Sequence, residues 1–159
     1  MSKLKRVDKL FMENPKMYAG WLDLNINNDI VIPVSYLNSR FFYDLISIAL
    51  ILDCYGSVET DNLSLYIDCE GTEANIDFVI SDRKTMKIIV SKEYYNFKTD
   101  EEGVDIFRYE IDRLSLINNI FNLVENNIDI YNTDFCCGDI GDYITKDYVK
   151  SLRLKLVLF

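Results

Sequence analysis

Asp68, Asp82 and Lys84 are of the residue types that cleave a phosphodiester with the help of a metal ion. In such nucleases two carboxylates hold the cation and a lysine stabilises charge beside the attacking water. The strand pattern, however, places Asp82 and Lys84 in a hairpin turn that follows an intervening strand after Asp68. We therefore expect a solvated turn and no convergence of the three side chains.

Asp134, Asp139 and Asp142 place carboxylates near glycines, as a calcium-binding loop does. Their spacing lacks the alternating acids and the distal glutamate of the EF-hand loop, so we expect an acidic surface loop without a metal. The adjacent Cys136 and Cys137 have no histidine anywhere in the chain to activate a thiol, which favours a structural pair. Glycine-rich phosphate-binding motifs are absent from the sequence. We therefore expect no enzyme, no catalytic residue and no cofactor.

The balance of charge is strongly acidic. Lysine and arginine number 17, aspartate and glutamate 26, and the net charge is -9. Since an acidic protein is repelled by nucleic acid, we expect no direct DNA or RNA binding. The apolar run Phe41–Leu52 is too short to cross a bilayer and contains Asp44, so we expect a cytoplasmic protein without a membrane partner. The charge either keeps the protein soluble or attracts a basic partner.

The acids are concentrated in predicted loops, and tyrosines are interspersed among them. Complementary charge speeds encounter with a basic protein, and aromatic side chains anchor the complex. An ordinary solvated surface is the alternative. The candidate partner-binding residues are Glu70, Glu73, Asp100, Glu101, Glu102, Asp134, Asp139, Asp142, Tyr94 and Tyr131.

The first half of the chain shows clear periodicity. Alternating apolar residues over 22–34, with Asn27-Asn28-Asp29 at the centre, predict a β-hairpin, and Pro33 places its second strand at an edge or a bulge. The following apolar run predicts a helix over about 38–54, capped by Asn38 or Ser39. Alternating runs at 63–69, 76–80 and 86–95 predict an antiparallel meander.

The second half and the N-terminus complete the expected fold. Phe107, Ile111 and Leu114 have helical spacing, which predicts a second helix over about 105–125. The alternating tail, residues 152–158, predicts a final strand, and residues 1–16 fit either a short amphipathic helix or a frayed terminus. We therefore expect a single globular α+β domain over 1–159, with an antiparallel sheet packed against two main helices.

Residues 17–95 resemble the immunity proteins of bacterial contact-dependent growth inhibition and polymorphic-toxin systems. The shared pattern is a hairpin at Leu24–Asp29, then Val31-Ile32-Pro33-Val34-Ser35-Tyr36, an aromatic helix and a meander. Leu37 stands where the family pattern has an aromatic residue, and the C-terminal third has no counterpart. The resemblance implies a small cytosolic antitoxin that binds one cognate toxin, usually a basic nuclease, and blocks its active site without a cofactor.

The sequence leaves three functions to compare. The first is an immunity protein that neutralises a toxin by stoichiometric occlusion through its acidic loops. The alternative is a phage or mobile-element protein that acts as an acidic decoy for a nucleic-acid-binding host protein, with binding that weakens steeply with salt. A carboxylate enzyme, the third, would need clustered acids in a deep pocket with a divalent metal.

Overall fold

The structure, a computed structural model, describes residues 3–54, 62–135 and 144–158, which form the predicted α+β fold. In chain order the strands are β1 (Leu4–Val7), β2 (Lys16–Tyr18), β3 (Trp21–Ile26), β4 (Ile30–Ser35), β5 (Asn62–Asp68), β6 (Glu73–Ile80), β7 (Thr85–Asn96) and β8 (Glu101–Asp112). The helices are α1 (Phe41–Asp53), α2 (Arg113–Ile130) and α3 (Lys146–Leu154), and a π-helical turn, Tyr131–Phe135, follows α2 directly. None of these helices is long and apolar enough to cross a membrane.

Five strands form the larger sheet, in the order β1-β8-β7-β6-β5. Strands β5, β6 and β7 pair antiparallel, which confirms the predicted meander. β8 adds a fourth antiparallel strand, and β1 joins β8 in parallel. Alternate residues such as Phe78, Ile88 and Ile111 are fully buried, whereas their neighbours on the other face are partly or fully exposed. One face of this sheet therefore packs on the core, and the other offers side chains to solvent.

Strands β2, β3 and β4 form a separate antiparallel sheet. Its β3–β4 half is the predicted hairpin, and Asn27 and Asn28 at the turn have φ angles of 50° and 61°. Three residues separate the paired Ile26 and Ile30, and the Asp29 N–H donates to the Ile26 carbonyl at 2.9 Å to close a β-turn around the two asparagines, which tolerate positive φ angles. Pro33 lies in β4, at an edge of the sheet, as predicted for a residue without an N–H group.

Helix α1 confirms the first predicted helix, but its predicted caps, Asn38 and Ser39, are wrong. Arg40 occupies the cap position and makes no side-chain cap. Asn38 turns instead to β5, where its amide donates to the carbonyl of Asp68 at 2.7 Å and accepts the N–H of Asp68 at 2.9 Å. The Asn38 side chain thus satisfies the backbone N–H and carbonyl of Asp68 at the edge strand β5, as a neighbouring strand would.

The helix predicted over 105–125 is wrong in its first third. Residues 101–112 form β8, and the helix runs from Arg113 to Ile130. The spacing of Phe107 and Ile111 is compatible with the two-residue repeat of a strand as well as with a helix. The segment forms a strand because all twelve of its residues pair with residues of β7. Asp112 then begins α2, its carboxylate accepting the N–H of Ser115 at 3.2 Å.

Both termini also differ from the prediction. Residues 4–7, expected to be a helix or frayed, form β1 because β8 offers them a partner far along the chain. The tail, expected to be a strand over 152–158, continues α3 as far as Leu154. Thr145 sets this helix by accepting the N–H of Tyr148 at 3.2 Å, which places Val149 and Leu152 one turn apart on the packed side.

Arg113 joins three elements at the centre of the molecule. Its side chain is 2% exposed, and Nε donates to the carbonyl of Arg83 at 2.8 Å while Nη1 donates to the carbonyl of Leu52 at 2.9 Å. The first bond reaches the β6–β7 turn and the second the end of α1. The larger sheet and both long helices are therefore held in one arrangement around this guanidinium group.

Candidate functional site

Strands β7 and β8 extend beyond the rest of the larger sheet as a two-stranded arm, residues 93–104. β6 pairs with β7 only as far as Lys92, and β1 meets β8 only from Arg108 onward. The four outermost pairs, from Glu93–Val104 to Asn96–Glu101, span about 10 Å before the turn. Among the described residues no other strand flanks the arm, which therefore presents both of its edges and both of its faces.

Aromatic contacts order the arm. The ring of Tyr94 lies across Gly103, its partner on β8, where a Cβ atom would overlap the tyrosine ring and hydroxyl. The Tyr95 hydroxyl donates to the carboxylate of Asp100, and its ring meets that of Phe97 edge-on with the centroids 4.7 Å apart. A two-stranded ribbon alone is marginally stable in water, so these contacts hold the arm in its shape.

Phe97 lies in the turn at the end of the arm and is 89% exposed. A single exposed apolar side chain is ordinary, but Tyr94, Tyr95 and Val104 are also exposed along the strands of the arm. The turn is itself ordered, since Oδ1 of Asn96 accepts the N–H of Lys98 at 3.0 Å. The arm therefore ends in an ordered apolar projection.

A notch separates the arm from the β5–β6 turn. It is an open cavity of about 440 Å³ lined by Gly71, Thr72, Glu93, Tyr94, Tyr95, Glu102, Gly103 and Val104. The opposing turn is fixed by Asp68, whose carboxylate accepts the N–H of Glu70 at 2.8 Å, and by positive φ angles at Glu70 and Gly71. The volume suits a side chain or a short segment of a partner, and the carboxylates in its wall favour a cationic one.

Tyr66 on β5 reports the electrostatic potential of this end of the sheet. A hydrogen bond to the carboxylate of Glu73, burial, and the charges of Glu73, Asp68 and Glu93 raise the pKa of its hydroxyl to about 12. The hydrogen-bonded carboxylate is the largest of these causes, and the surrounding negative charges disfavour the phenolate further. The surface around Tyr66 therefore repels anions and attracts cations.

Six of the predicted partner-binding residues lie together on the arm and beside the notch: Glu70, Glu73, Asp100, Glu101, Glu102 and Tyr94. Asp134 lies apart from them, in the π-helical turn, where its backbone carbonyl accepts the N–H of Gly20 at 3.0 Å beside the small sheet. Asp139 and Asp142 fall outside the described residues. The predicted surface is thus brought together by two neighbouring hairpin turns.

Tyr131 is wrong as a partner-binding residue, because it is fully buried. Its ring stacks on those of Phe42 and Phe135, with centroid distances of 3.9 and 4.8 Å. Its hydroxyl donates to the carbonyl of Ser39 at 3.0 Å and accepts the N–H of Phe42 at 3.3 Å. Helix α2 continues past residue 125, and the π-helical turn carries Tyr131 into the core.

Phe97, Tyr66 and Glu93 are among the residues of this surface that the sequence prediction omits. Phe97 stands in a polar turn, and Tyr66 occupies an outward position between the buried Leu65 and Ile67. Two signals in the sequence point to them. Phe97 is an aromatic residue within a polar turn, and Tyr66 is a large aromatic residue at an outward-facing position of an alternating strand. Only the pairing of the strands places these residues beside the acids.

The nuclease-like residues do not converge. Asp68 ends β5 opposite Glu73, whereas Asp82 and Lys84 lie in the turn at the other end of β6, roughly 20 Å away. The Asp82 carboxylate accepts the N–H groups of Lys84 and Thr85, which lower its pKa as expected for a turn-forming aspartate. In the described part of the chain no three His, Cys, Asp or Glu residues are grouped to hold a metal.

Two of the four cysteines, Cys54 and Cys69, lie among the residues that the structure describes. Cys69 is buried, and burial raises the pKa of its thiol. Cys54 is exposed at the end of α1, and neither of these two cysteines forms a disulfide. Cys136 and Cys137 lie outside the described residues, so the structural pair expected there stays a prediction.

Comparison with known proteins gives no relative for this chain. No family model, no curated protein sequence and no solved structure matches it. The function is therefore inferred from the charge, the shape and the exposed side chains of the arm and the notch.

Proposed function

We propose that this chain is a cytoplasmic immunity protein that binds a cognate bacterial toxin, a basic nuclease domain, and neutralises it by stoichiometric occlusion. The observation that carries the proposal is the convergence of carboxylates and exposed aromatic rings on the arm and the notch. Residues 66–75 and 91–106, which form this end of the sheet, contain eight carboxylates and only two lysines.

A surface of this composition suits a basic protein partner. Carboxylates steer a cationic protein into encounter and suppress wrong partners, while desolvated aromatic anchors supply most of the affinity. An interface of about 800 Å² per partner would cover the arm, the notch and the adjoining open face around Tyr66. Because a nuclease binds a polyanion, the cleft that holds its substrate is basic, and an acidic inhibitor that covers this cleft excludes the substrate.

The proposal requires a toxin domain encoded by a neighbouring gene, and co-expression with that domain tests it. We expect the cells to survive and the two proteins to co-purify as a 1:1 complex. The double variant Glu101→Lys, Glu102→Lys reverses charge on the arm and should abolish protection. The variant Asp129→Lys, Asp147→Lys changes the net charge equally at exposed sites on α2 and α3, and it should protect as well as the wild type. Wild-type protein that gives neither protection nor a complex would refute the proposal.

Salt dependence separates this function from that of an acidic decoy. A decoy would bind several unrelated nucleic-acid-binding proteins, and its affinity would fall steeply as salt rises. An immunity protein with aromatic anchors should bind one toxin and keep most of its affinity at high salt, since apolar burial is not screened. Pull-downs against the cognate toxin and against unrelated nucleases, at low and at high salt, give the comparison.

A further inference from the structure

The arm carries Phe97, Lys98 and Asp100 in its turn and further acidic and apolar side chains along its strands. Its exposed apolar and aromatic side chains are Tyr94, Tyr95, Phe97 and Val104. Within residues 93–104 four carboxylates accompany a single lysine, and three of them are consecutive, Asp100 to Glu102, where β8 leaves the turn. A surface that complements this arrangement has an apolar floor and a basic rim.

The shape of the arm restricts the surface that can receive it. The arm projects about 10 Å, plus its turn, beyond the last residue that pairs with β6, and it projects further beyond the last residue that pairs with β1. A flat partner surface could touch either the tip or one face of such a ribbon. Only a concave surface covers the tip and both faces together, and burial of that extent is what an anchor residue requires.

The arm is preorganised: its side chains are already ordered in the free protein. Tyr94 is packed across Gly103, and Tyr95 is held by the Asp100 carboxylate and by the Phe97 ring. Ordering a loop and its side chains on binding would consume part of the interaction energy, whereas this ribbon has little left to order. Phe97 is therefore presented at a fixed position relative to the acids.

We infer that the arm docks by insertion, with Phe97 entering an apolar pocket at the bottom of a basic-rimmed cleft in the partner protein. This inference rests on the proposed function and names how the same surface engages the toxin. The arm supplies shape and apolar anchoring at the cleft, and the acids beside the notch pair with basic groups around its mouth.

Calorimetric titration with a catalytically inactivated form of the toxin domain that the proposed function requires tests the insertion. Phe97→Ser should weaken binding by about 30-fold or more, the loss typical of an anchor residue. Leu154→Ser is the matched control, since Leu154 on α3 is 88% exposed, and binding should stay within about threefold of the wild type. Phe97→Trp keeps an aromatic anchor and should retain most of the affinity. Thermal melts check global folding, and hydrogen exchange over residues 93–104 checks that the arm stays ordered without the Tyr95–Phe97 ring contact.

The possible results distinguish docking by insertion from the proposed immunity function on which it rests. Equal binding by the wild type and by Phe97→Ser overturns the insertion and leaves the immunity function standing. A wild-type chain that does not bind the toxin overturns both. A chain that is dimeric alone and becomes monomeric in Phe97→Ser shows that the arm packs against a second copy, which also overturns the insertion.

Discussion

Asn119 is a buried amide on α2 whose replacement by alanine should lower the free energy of unfolding by about 3 kcal/mol. Its Oδ1 accepts the N–H groups of Leu10 and Phe11 at 3.1 and 2.8 Å, and its Nδ2 donates to the carbonyl of Phe11 at 2.7 Å. Leu10 and Phe11 are fully buried, so alanine leaves two donors and one acceptor without this partner. Each such group costs about 1–3 kcal/mol, and water entering the gap recovers part of the loss.

Urea denaturation followed by circular dichroism measures this change. Asn122→Ala is the matched control, because Asn122 lies one turn further along α2 and its amide donates to Oε2 of Glu13 at 3.3 Å in a half-buried position. That variant should lose less than about 1 kcal/mol. If the two variants lose equal stability, or Asn119→Ala loses less than the control, buried amide bonds do not hold residues 10 and 11 against α2.

Glu13 provides a second readout of the same contact. Burial raises its pKa, but hydrogen bonds from Asn119, Lys9 and Asn122 outweigh burial and leave the pKa below 4.5. The stability that this group contributes is therefore present above pH 4.5 and is lost as the pH falls through the lowered pKa. Asn119→Ala removes the leading hydrogen bond, so NMR titration should show the pKa of Glu13 moving upward.

Two further perturbations test the site and the C-terminal segment. Glu73→Gln removes the hydrogen-bonded carboxylate and should therefore lower the pKa of Tyr66 from about 12 toward 10.0. NMR titration of labelled tyrosine measures this pKa. An unchanged value would contradict the assignment of the shift to Glu73. Since the pKa of Tyr66 is raised by folding, its contribution to stability is present below pH 10.0 and is lost as the pH rises through about 12. The N–H groups of Val157 and Leu158 both donate to the Asp53 carboxylate at 2.8 Å. Asp53→Ala should therefore speed hydrogen exchange at these two residues and lower the free energy of unfolding by about 1.5–3 kcal/mol. Unchanged exchange would mean that other contacts hold this segment.

Local signals predicted the elements whose partners are close in sequence. The β3–β4 hairpin follows from two asparagines that accept positive φ angles between alternating runs. Helix α1 follows from an apolar run too long for a typical strand. In both cases the residues that decide the structure lie within about one helical turn or one hairpin of each other, so a window of sequence contains the whole cause.

Elements that depend on distant partners could not be predicted in this way. Leu4 pairs with Arg108 on β8, and nothing within residues 1–16 indicates that the edge of this distant strand is available for pairing. The tail shows the converse, since residues 152–158 alternate like a strand but Thr145, upstream of the alternation, starts a helix. Burial and pairing with remote residues outweigh the weak local preference in each case.

The same limit applied to the candidate site. Acidic composition identified Glu70, Glu73 and the run Asp100 to Glu102, because charge is visible residue by residue. The burial of Tyr131 was not visible, since it depends on α2 continuing into the π-helical turn. Phe97 was missed because its importance lies in being held at the tip of an ordered ribbon, which is a property of strand pairing.

The misassigned helix and the missed anchor have one physical origin. A helix beginning near residue 105 ends the meander at about residue 95 and leaves 96–104 as an acidic loop, whose carboxylates would attract any cationic protein. In the structure β8 pairs with β7 out to Asn96–Glu101, so the same carboxylates sit on a ribbon with fixed spacing around Phe97. A flexible acidic loop can supply affinity without choosing among basic partners, whereas a ribbon of fixed shape rejects every cleft that does not accommodate its tip. The strand at residues 101–112 therefore gives this chain a physical basis for the selectivity that the proposed immunity function requires.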